Sequence, residues 1–588
     1  MAFRTPLLQP RSQYHSYWGQ YAYAVGAGVW ANGSNLLPGA PGNPLSATEF
    51  AKIEVGDIAS TTDALLIANR GLFVCVATPT AATVEWRRLD NGVTVTQTIR
   101  DAHVIVVGQT GASAPLPAIA AIAIPPLATN GLNLAGVGEV LSVTVDYLDP
   151  GDGTELTLAL AAAAAAGIAI DIRLRPCDIT LTAATAPLVV PPDIRLIGAG
   201  HRSSLITGRD SASQTVITTG KRVSLEDMTI VSPAPTAATT VGTAAVIEGD
   251  DDLQVLRCDV YLIAATAFDR EQTAGIRVET PTGKELIDDC NLFIDSLAGQ
   301  TTTPTAKSVA VVFGSSAAGV TTNGSDMEVR NTYIDEASLG VGSCPIGVEF
   351  VNVSGGRAFN VEHVQCRAPS GAFIWGWAFT LGTPPTDIVR GPKFIECRVT
   401  TLADETTALG NQVGFFIFMV GTPNIGAVLD GMIHDCVVQY LFGGNPNPAI
   451  RRTGFQLSNA STDTAFRFFT YDNCKSIFSN VGFEVDATGA AAEDIESVKF
   501  TACQAPAQIN GNLIAPHGMR LRGLPASLNV KRVGVQNCDF ADQPAGFGIL
   551  VADAGVTDAI LLGNSLTPAG GTALSDLGTG TEAAHNIL

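Results

Sequence analysis

In this 588-residue chain the side chains best placed for chemistry are carboxylates. Glu396 and Asp435 each stand one position before a cysteine, in FIECRV and IHDCVVQY. If the two segments are stacked strands, these carboxylates share one outward column, with backbones about 4.8 Å apart. Carboxyl groups about 5–5.5 Å apart suit a retaining glycosidase, and about 6.5–9.5 Å an inverting one. Glu396 and Asp435 are therefore the candidate catalytic residues. Arg367 and Arg398, each just after a cysteine, would line the neighbouring column and hold an acidic sugar. The competing reading is a solvated stripe of ion pairs, each worth little. Other chemistries find no spacing to support them. The seven histidines fall in no HExxH-like pattern, and GxSxG is absent. The Gly198-Ala-Gly200 turn follows a strand but opens no helix. None of the 11 cysteines forms a CxxC, so neither a metal nor another cofactor is expected. Asp250-Asp251-Asp252 reads as a solvated turn rather than a calcium loop.

The elements that would position these residues form an internal repeat. One strand recurs with a cysteine or asparagine followed by alternating apolar residues. It appears at Met228, Cys258, Cys290, Asn331, Cys366, Cys397, Cys436, Cys474, Cys503, Cys538 and Asn564. A second strand, Gly-apolar-x-apolar, falls between these, at Gly275, Gly347, Gly376, Gly414, Gly454, Gly482, Gly518 and Gly548. Variable spacing with strands kept in step is the mark of a solenoid whose coils differ in loop length. Strand alternation then turns the cysteine column inward, together with Val260, Leu292, Val399, Val438 and Phe540. A small polarisable thiol stacks well in such a core. It turns Arg257, Asp289, Arg330, Gln365, Glu396, Asp435 and Asn473 outward, and after the column Asp259, Asn291, Thr332, Arg367, Arg398 and Lys475. In the glycine strands Ile276, Val348, Trp377, Phe415, Phe455 and Phe483 face in, while Arg277, Glu349, Gln456, Glu484 and Arg520 face out. Cys75, Cys177 and Cys344 lie outside the column.

Composition agrees with this reading. Charged residues are only 15% and hydrophobic ones 46%, with 60 glycines and 6% aromatics. A disordered chain would be richer in charge. The net charge of −21 speaks against nucleic acid as a partner. The longest apolar run, 158–170, is too short to cross a bilayer, and the start MAFRTPLLQP lacks the apolar core of a secretory signal. No membrane insertion is expected, and synthesis in a cytoplasm leaves the cysteines as thiols.

The chain divides at residues 34, 107 and 135. Residues 1–34 carry Tyr14, Tyr17, Trp18, Tyr21, Tyr23 and Trp30 without helical or strand periodicity. Such a segment suits either anchoring on a partner or a strap on its own domain. Residues 35–107 read as a small β-rich domain with strands at 71–77 and 84–89, then 93–99 and 102–107. Residues 108–135 are a Pro/Ala/Gly-rich linker. From 136 to 588 runs the solenoid, opened by a capping helix at 154–166. Thr154 would be its N-cap and Gly167 its stop, with strands at 168–174 and 193–197 following.

The order DPGDGTELTLALAAAAAAGIAIDIRLRP, then PLVVPPDIRLIGAG, then coils, resembles the pectate-lyase-like β-helix of bacteriophage tailspikes and related virion proteins. The EWRRL strand pattern of residues 85–89 is similar to a small module near the N-termini of phage tail proteins. The resemblance implies an all-β, right-handed parallel β-helix preceded by a small β-rich domain. It further implies a homotrimer on a virion assembled in the host cytoplasm, attached through the N-terminal region to other tail or capsid proteins. Bacterial surface polysaccharide would be bound, or cleaved by a glycosidase or lyase. The family often carries a C-terminal β-rich trimerisation domain; here about twenty residues follow the last coil.

Overall fold

The computed structural model describes residues 22–25, 58–61, 71–75, 86–88, 104–109 and 147–587. Within the last span it leaves out 167–168, 210–214, 234–242, 264–271, 282–283, 296–306, 315–326, 337–343, 352, 366–372, 379–388, 402–411, 422–426, 442–450, 462–464, 489–493, 507–516, 542–545 and 567–571. The chain forms two compact units. The first holds residues 1–108, 112–148 and 168–173, and the second 109–111, 149–167 and 174–588.

In the first unit four strands form one sheet, in the order Ala22–Val25, Ile58–Thr61, Gly71–Cys75 and Trp86–Arg88. The first pair is parallel and the others antiparallel. The GLFVC and WRR segments thus pair as expected, with Cys75 opposite Trp86. Tyr23 lies in the first strand, while Tyr14, Tyr17, Trp18, Tyr21 and Trp30 lie outside the described residues, as does the strand expected at 93–99.

The second unit is a parallel β-helix. A representative coil contributes Leu286–Asp288 to a first sheet, Asn291–Asp295 to a second and Lys307–Gly314 to a third. The next coil adds Glu328–Arg330, Tyr333–Glu336 and Cys344–Val351, each parallel to its predecessor. Among the described residues the second sheet has 10 strands and the third 13; from Val389 a fourth sheet of six short strands enters between the third and the first. Apolar side chains at alternate positions fill the interior. Phe415, Phe455 and Phe483 stack along the axis at centroid distances of 5.0 and 4.9 Å. All three face in, as the alternation requires.

The cysteine column is buried, with two corrections of register. Cys258, Cys290, Cys397, Cys436, Cys474, Cys503 and Cys538 are all at most 1% exposed. Most of their thiols donate to a carbonyl of the preceding coil, as Cys397 does to Ala358 O at 3.3 Å and Cys436 to Phe394 O at 3.4 Å. Asn564 continues the series in the same way, its Nδ2 donating to Val535 O at 3.0 Å, and Asn586 follows it on the next coil, donating to Leu561 O at 3.0 Å. Two neighbouring coils break the residue-type pattern. The strand pairings place Thr332 and Val361 in the column, since Tyr333 pairs with Asn291 and Glu362 with Arg398. Asn331 is exposed, one residue early; Cys366 lies five residues past the column position and outside the described residues. The column also begins earlier than expected, because Cys177 pairs with Ser204 immediately before Met228.

The glycine column follows from close packing. A Cβ on Gly518 would lie 2.5 Å from Phe540 Cβ and 2.6 Å from Gly548 O, where no side chain fits. One member is misplaced in the sequence reading. Phe373 pairs with Phe415 and Gly376 with Phe418, so Gly376 lies four residues past the glycine column of Gly414. Trp377 pairs with Met419.

The helix spans Thr154–Ala166 as expected and buries the stripe Leu156, Ala159, Leu160 and Ala163. Its cap is Asp149 rather than Thr154. Asp149 Oδ1 accepts from the backbone N–H groups of Gly151, Asp152 and Gly153 at 2.7, 3.0 and 3.1 Å, and Oδ2 accepts from Leu156 at 3.0 Å. A fully buried carboxylate thus ties down the loop before the helix and one orphan donor of its first turn, Leu156 N, while Thr154 N donates to Asp152 Oδ1 at 2.9 Å. The strands after it span Ile170–Leu174 and Ile194–Ile197.

Candidate functional site

Glu396 and Asp435 lie in a corner, not within strands. From Asp227 onward each coil passes through one residue of positive φ between the first and second sheets. The series includes Asp227, Arg257, Asp289, Asn331, Asn360, Glu396, Asp435, Asn473, Ala502 and Asn537. Left-handed backbone favours Asn and Asp, whose short polar side chains tolerate it; this explains why amides and carboxylates dominate the column. Each corner N–H donates to the carbonyl preceding the next corner residue, as Glu396 N to His434 O at 2.9 Å and Asp435 N to Asp472 O at 3.0 Å. The two candidate carboxylates therefore sit on adjacent coils, as the sequence reading requires. Arg330 and Gln365, expected in this column, are replaced in it by Asn331 and Asn360.

The structure gathers further groups around Asp435. His434 ends the first-sheet strand Met432–His434 and pairs with Asp472 of Thr470–Asp472. Its Nδ1 is 3.1 Å from Asp472 Oδ2 and its Nε2 is 3.1 Å from Asp435 Oδ2. Asn473 Nδ2 donates to Asp435 Oδ1 at 2.5 Å. Both oxygens of Asp435 are thereby engaged and its orientation is fixed, while Glu396 is exposed and has no side-chain partner among the described residues. Asn473 was placed in the outward column without a role, and His434 and Asp472 were not singled out in the sequence. Their signal was available, because His434 stands one residue before Asp435, and Asn473 and Asp472 stand one and two residues before Cys474.

The register neighbours of Arg398 are not arginines: it is exposed on the second sheet, beside Glu362 and Val437. Arg367 lies outside the described residues, and the position beside Arg398 assigned to it belongs to Glu362. Elsewhere along this edge some charges are paired, whereas Asp289 is exposed with no ion pair among the described residues. Arg257 Nε lies 2.7 Å from Asp227 Oδ1, and Arg330 Nη2 2.8 Å from Asp288 Oδ2. These pairs raise both guanidinium pKa values, through hydrogen bonding to Asp227 and to Asp288 respectively. Along this edge the Glu396–Asp435 stretch is acidic and gathers Asp472 as well.

The outward column of the third sheet is buried more deeply than its polarity suggests. Arg277, Glu349 and Glu484 are 5%, 1% and 1% exposed. Arg277 pairs with Glu248, and Glu484 with Arg451 and Arg520. Such pairs carry a desolvation cost that only good hydrogen bonding offsets, so these charges hold structure. Among the described residues no cluster of three or more His, Cys, Asp or Glu could hold a metal ion. None of their helices is long and apolar enough to cross a membrane.

No protein-family model and no curated relative matches the chain. Solved structures with similar strand paths include the catalytic domain of a GH87 alpha-1,3-glucanase, 11% identical, with a TM-score of 0.41 over 74% of this chain and 67% of that one. The A-module of the Azotobacter vinelandii mannuronan C-5 epimerase AlgE6 is 12% identical, with a TM-score of 0.29 over 74% and 96%. An N-terminal fragment of gene product 12 of bacteriophage Phi29 is 11% identical, with a TM-score of 0.18 over 72% and 91%. The class of protein is set by the sheets themselves: this is an all-β parallel β-helix.

Proposed function

We propose that the chain is a spike or fibre-like appendage of a bacteriophage virion, whose β-helix adheres to bacterial surface polysaccharide. The observation that carries this reading is the outward edge between the first and second sheets. There carboxylates and amides repeat at one-coil intervals, from Asp227 to Asn537. Solenoids use extended, repeating faces of this kind to bind extended ligands, and a polysaccharide presents hydroxyls at regular intervals. Homotrimerisation and attachment through the N-terminal region belong to the same proposal. Antibodies against the β-helix should decorate the tail or capsid of the phage encoding the chain and block its adsorption. Undecorated particles would refute the virion role.

A second reading has its own support. In a depolymerase, Asp435, held by His434 and Asn473, would act as base or nucleophile, and Glu396, without such partners, as the acid. Two carboxylates in unequal environments are what glycoside hydrolysis requires. Incubation with the host's capsule or lipopolysaccharide should then release reducing ends, and Glu396→Gln or Asp435→Asn should lower the rate by about 10²–10⁴-fold. A lyase would instead generate unsaturated ends. Unchanged polysaccharide leaves adhesion alone.

A further inference from the structure

The outward face of the second sheet carries a pair of aromatic rings that the core does not use. Val260, Leu262, Leu292 and Ile294 point inward and are at most 1% exposed. Between them Tyr261 and Phe293 point outward, half-buried, and pair in register on adjacent coils. Their rings stack at a centroid distance of 4.5 Å and an interplanar angle of 11°. Solvent-facing rings on a sheet normally give way to polar residues, as they do at Asp335 in the next coil.

A polar edge borders the stack. Asn291 Nδ2 donates to Asp259 Oδ1 at 2.8 Å, and His201 Nδ1 lies 3.1 Å from the same oxygen. The Asp259 side chain is 6% exposed and the His201 ring 39%. This arrangement fixes the amide and the imidazole while leaving Asn291 Oδ1 and His201 Nε2 for a ligand.

We infer that the Tyr261–Phe293 stack is a platform for one sugar ring, with its hydroxyls met by Asn291 and His201. The inference rests on the polysaccharide reading above and narrows it to a sugar class. A pyranose has an apolar C–H face that matches an aromatic plane, and a polar rim that matches the amide and imidazole. The charges choose among sugars. Asp259 and Asp335 flank the platform, against Arg202 acting on Tyr261. An acidic sugar would meet repulsion, so the platform takes a neutral, N-acetylated or amino sugar. The Phe293 end lies four coil steps from the Asp435 cluster, about 19 Å at about 4.8 Å per coil. Both sites border the second sheet, so a single glycan chain running along the axis can engage both.

A panel of defined oligosaccharides tests this, with neutral, N-acetylated, amino and uronate-bearing members immobilised on an array. The full chain should bind the first three classes in preference to the uronates. Tyr261→Ala and Phe293→Ala should each weaken binding at least tenfold with an unchanged melting temperature. Phe293→Trp should keep binding and report it by a shift in the fluorescence of the new indole, which holds the test even if an alanine variant misfolds. Binding unaltered in both alanine variants, indole emission of the Phe293→Trp variant that the glycan leaves unchanged, or a preference for uronates would overturn the platform. Those results leave adhesion standing if the chain still binds the host's purified surface polysaccharide. Failure to bind that polysaccharide as well would sink both.

Discussion

Thiol reactivity gives the most direct test of the cysteine column. Burial raises the Cys290 thiol from an ordinary 9.0 to about 12 and the Cys177 thiol to about 11. At pH 8 an ordinary thiol is about 9% thiolate, whereas Cys290 is about 0.01% and Cys177 about 0.1%. Ionisation alone therefore slows alkylation about 1,000-fold and about 100-fold, before burial of the sulfur slows it further. Cys258, Cys436 and Cys503 are pushed well above 9.0, again chiefly by burial. Eight buried cysteines have no disulfide partner, which leaves Cys75, Cys344 and Cys366 from the total of 11. Iodoacetamide at pH 8, followed by intact-mass spectrometry, should add at most three labels quickly to the native protein. After denaturation it should add eleven. More than three fast labels would refute the buried column and the coil register built on it. The same shift sets a pH dependence. The buried state favours the protonated thiol, so its contribution is complete below pH 9 and is lost as pH rises from 9 towards 11 or 12. At pH 10 each such thiol costs about 1.4 kcal/mol of stability.

Three further outcomes follow from named contacts. Gly518→Ala should destabilise the helix by about 1–3 kcal/mol or more, because the new methyl meets Phe540 Cβ and Gly548 O; wild-type stability in denaturant titration would contradict the packing. Burial, with Arg520 and Arg451 nearby, lowers His517 from 6.5 to about 4. Stability from its neutral form is therefore present above pH 6.5 and falls by about 3 kcal/mol on acidification to pH 4. His517→Gln should flatten that part of the profile, and an unchanged slope would show that other groups cause it. In the core His363 Nε2 lies 2.8 Å from Glu336 Oε2, with both side chains at most 1% exposed. His363→Val should cost about 1–3 kcal/mol by removing this buried hydrogen bond, whereas His363→Val with Glu336→Ile should recover most of it. The replacements copy Val399 and Ile294, the register neighbours. A double variant as unstable as the single one would show that the pair is not the cause.

What the sequence made legible was the part that repeats by polarity. Alternation around Cys258, Cys290, Cys397 and Cys436 was enough to place the inward residues, because a strand interior admits only two faces. It failed at Asn331 and Cys366 for an identifiable reason. The column selects for a small buried side chain, which Thr332 and Val361 supply as well as cysteine does, so residue type alone does not mark the position. The corner before it selects for a backbone conformation, and Asn331 at φ 48° is there for that purpose. Counting from the corner would have kept the register where counting from the sulfur lost it. The same distinction governs the functional edge. Glu396 and Asp435 were found because they precede cysteines, yet their proximity comes from successive left-handed corners. His434, Asp472 and Asn473 converge only because that corner turns adjacent outward side chains towards one another. Tyr261 and Phe293 were hidden differently. In VYLI and LFI they read as core, although parity counted from Cys258 and Cys290 already turned both rings outward. The residues most informative about ligand binding are thus those whose apolar character disagrees with the face that the solenoid assigns them.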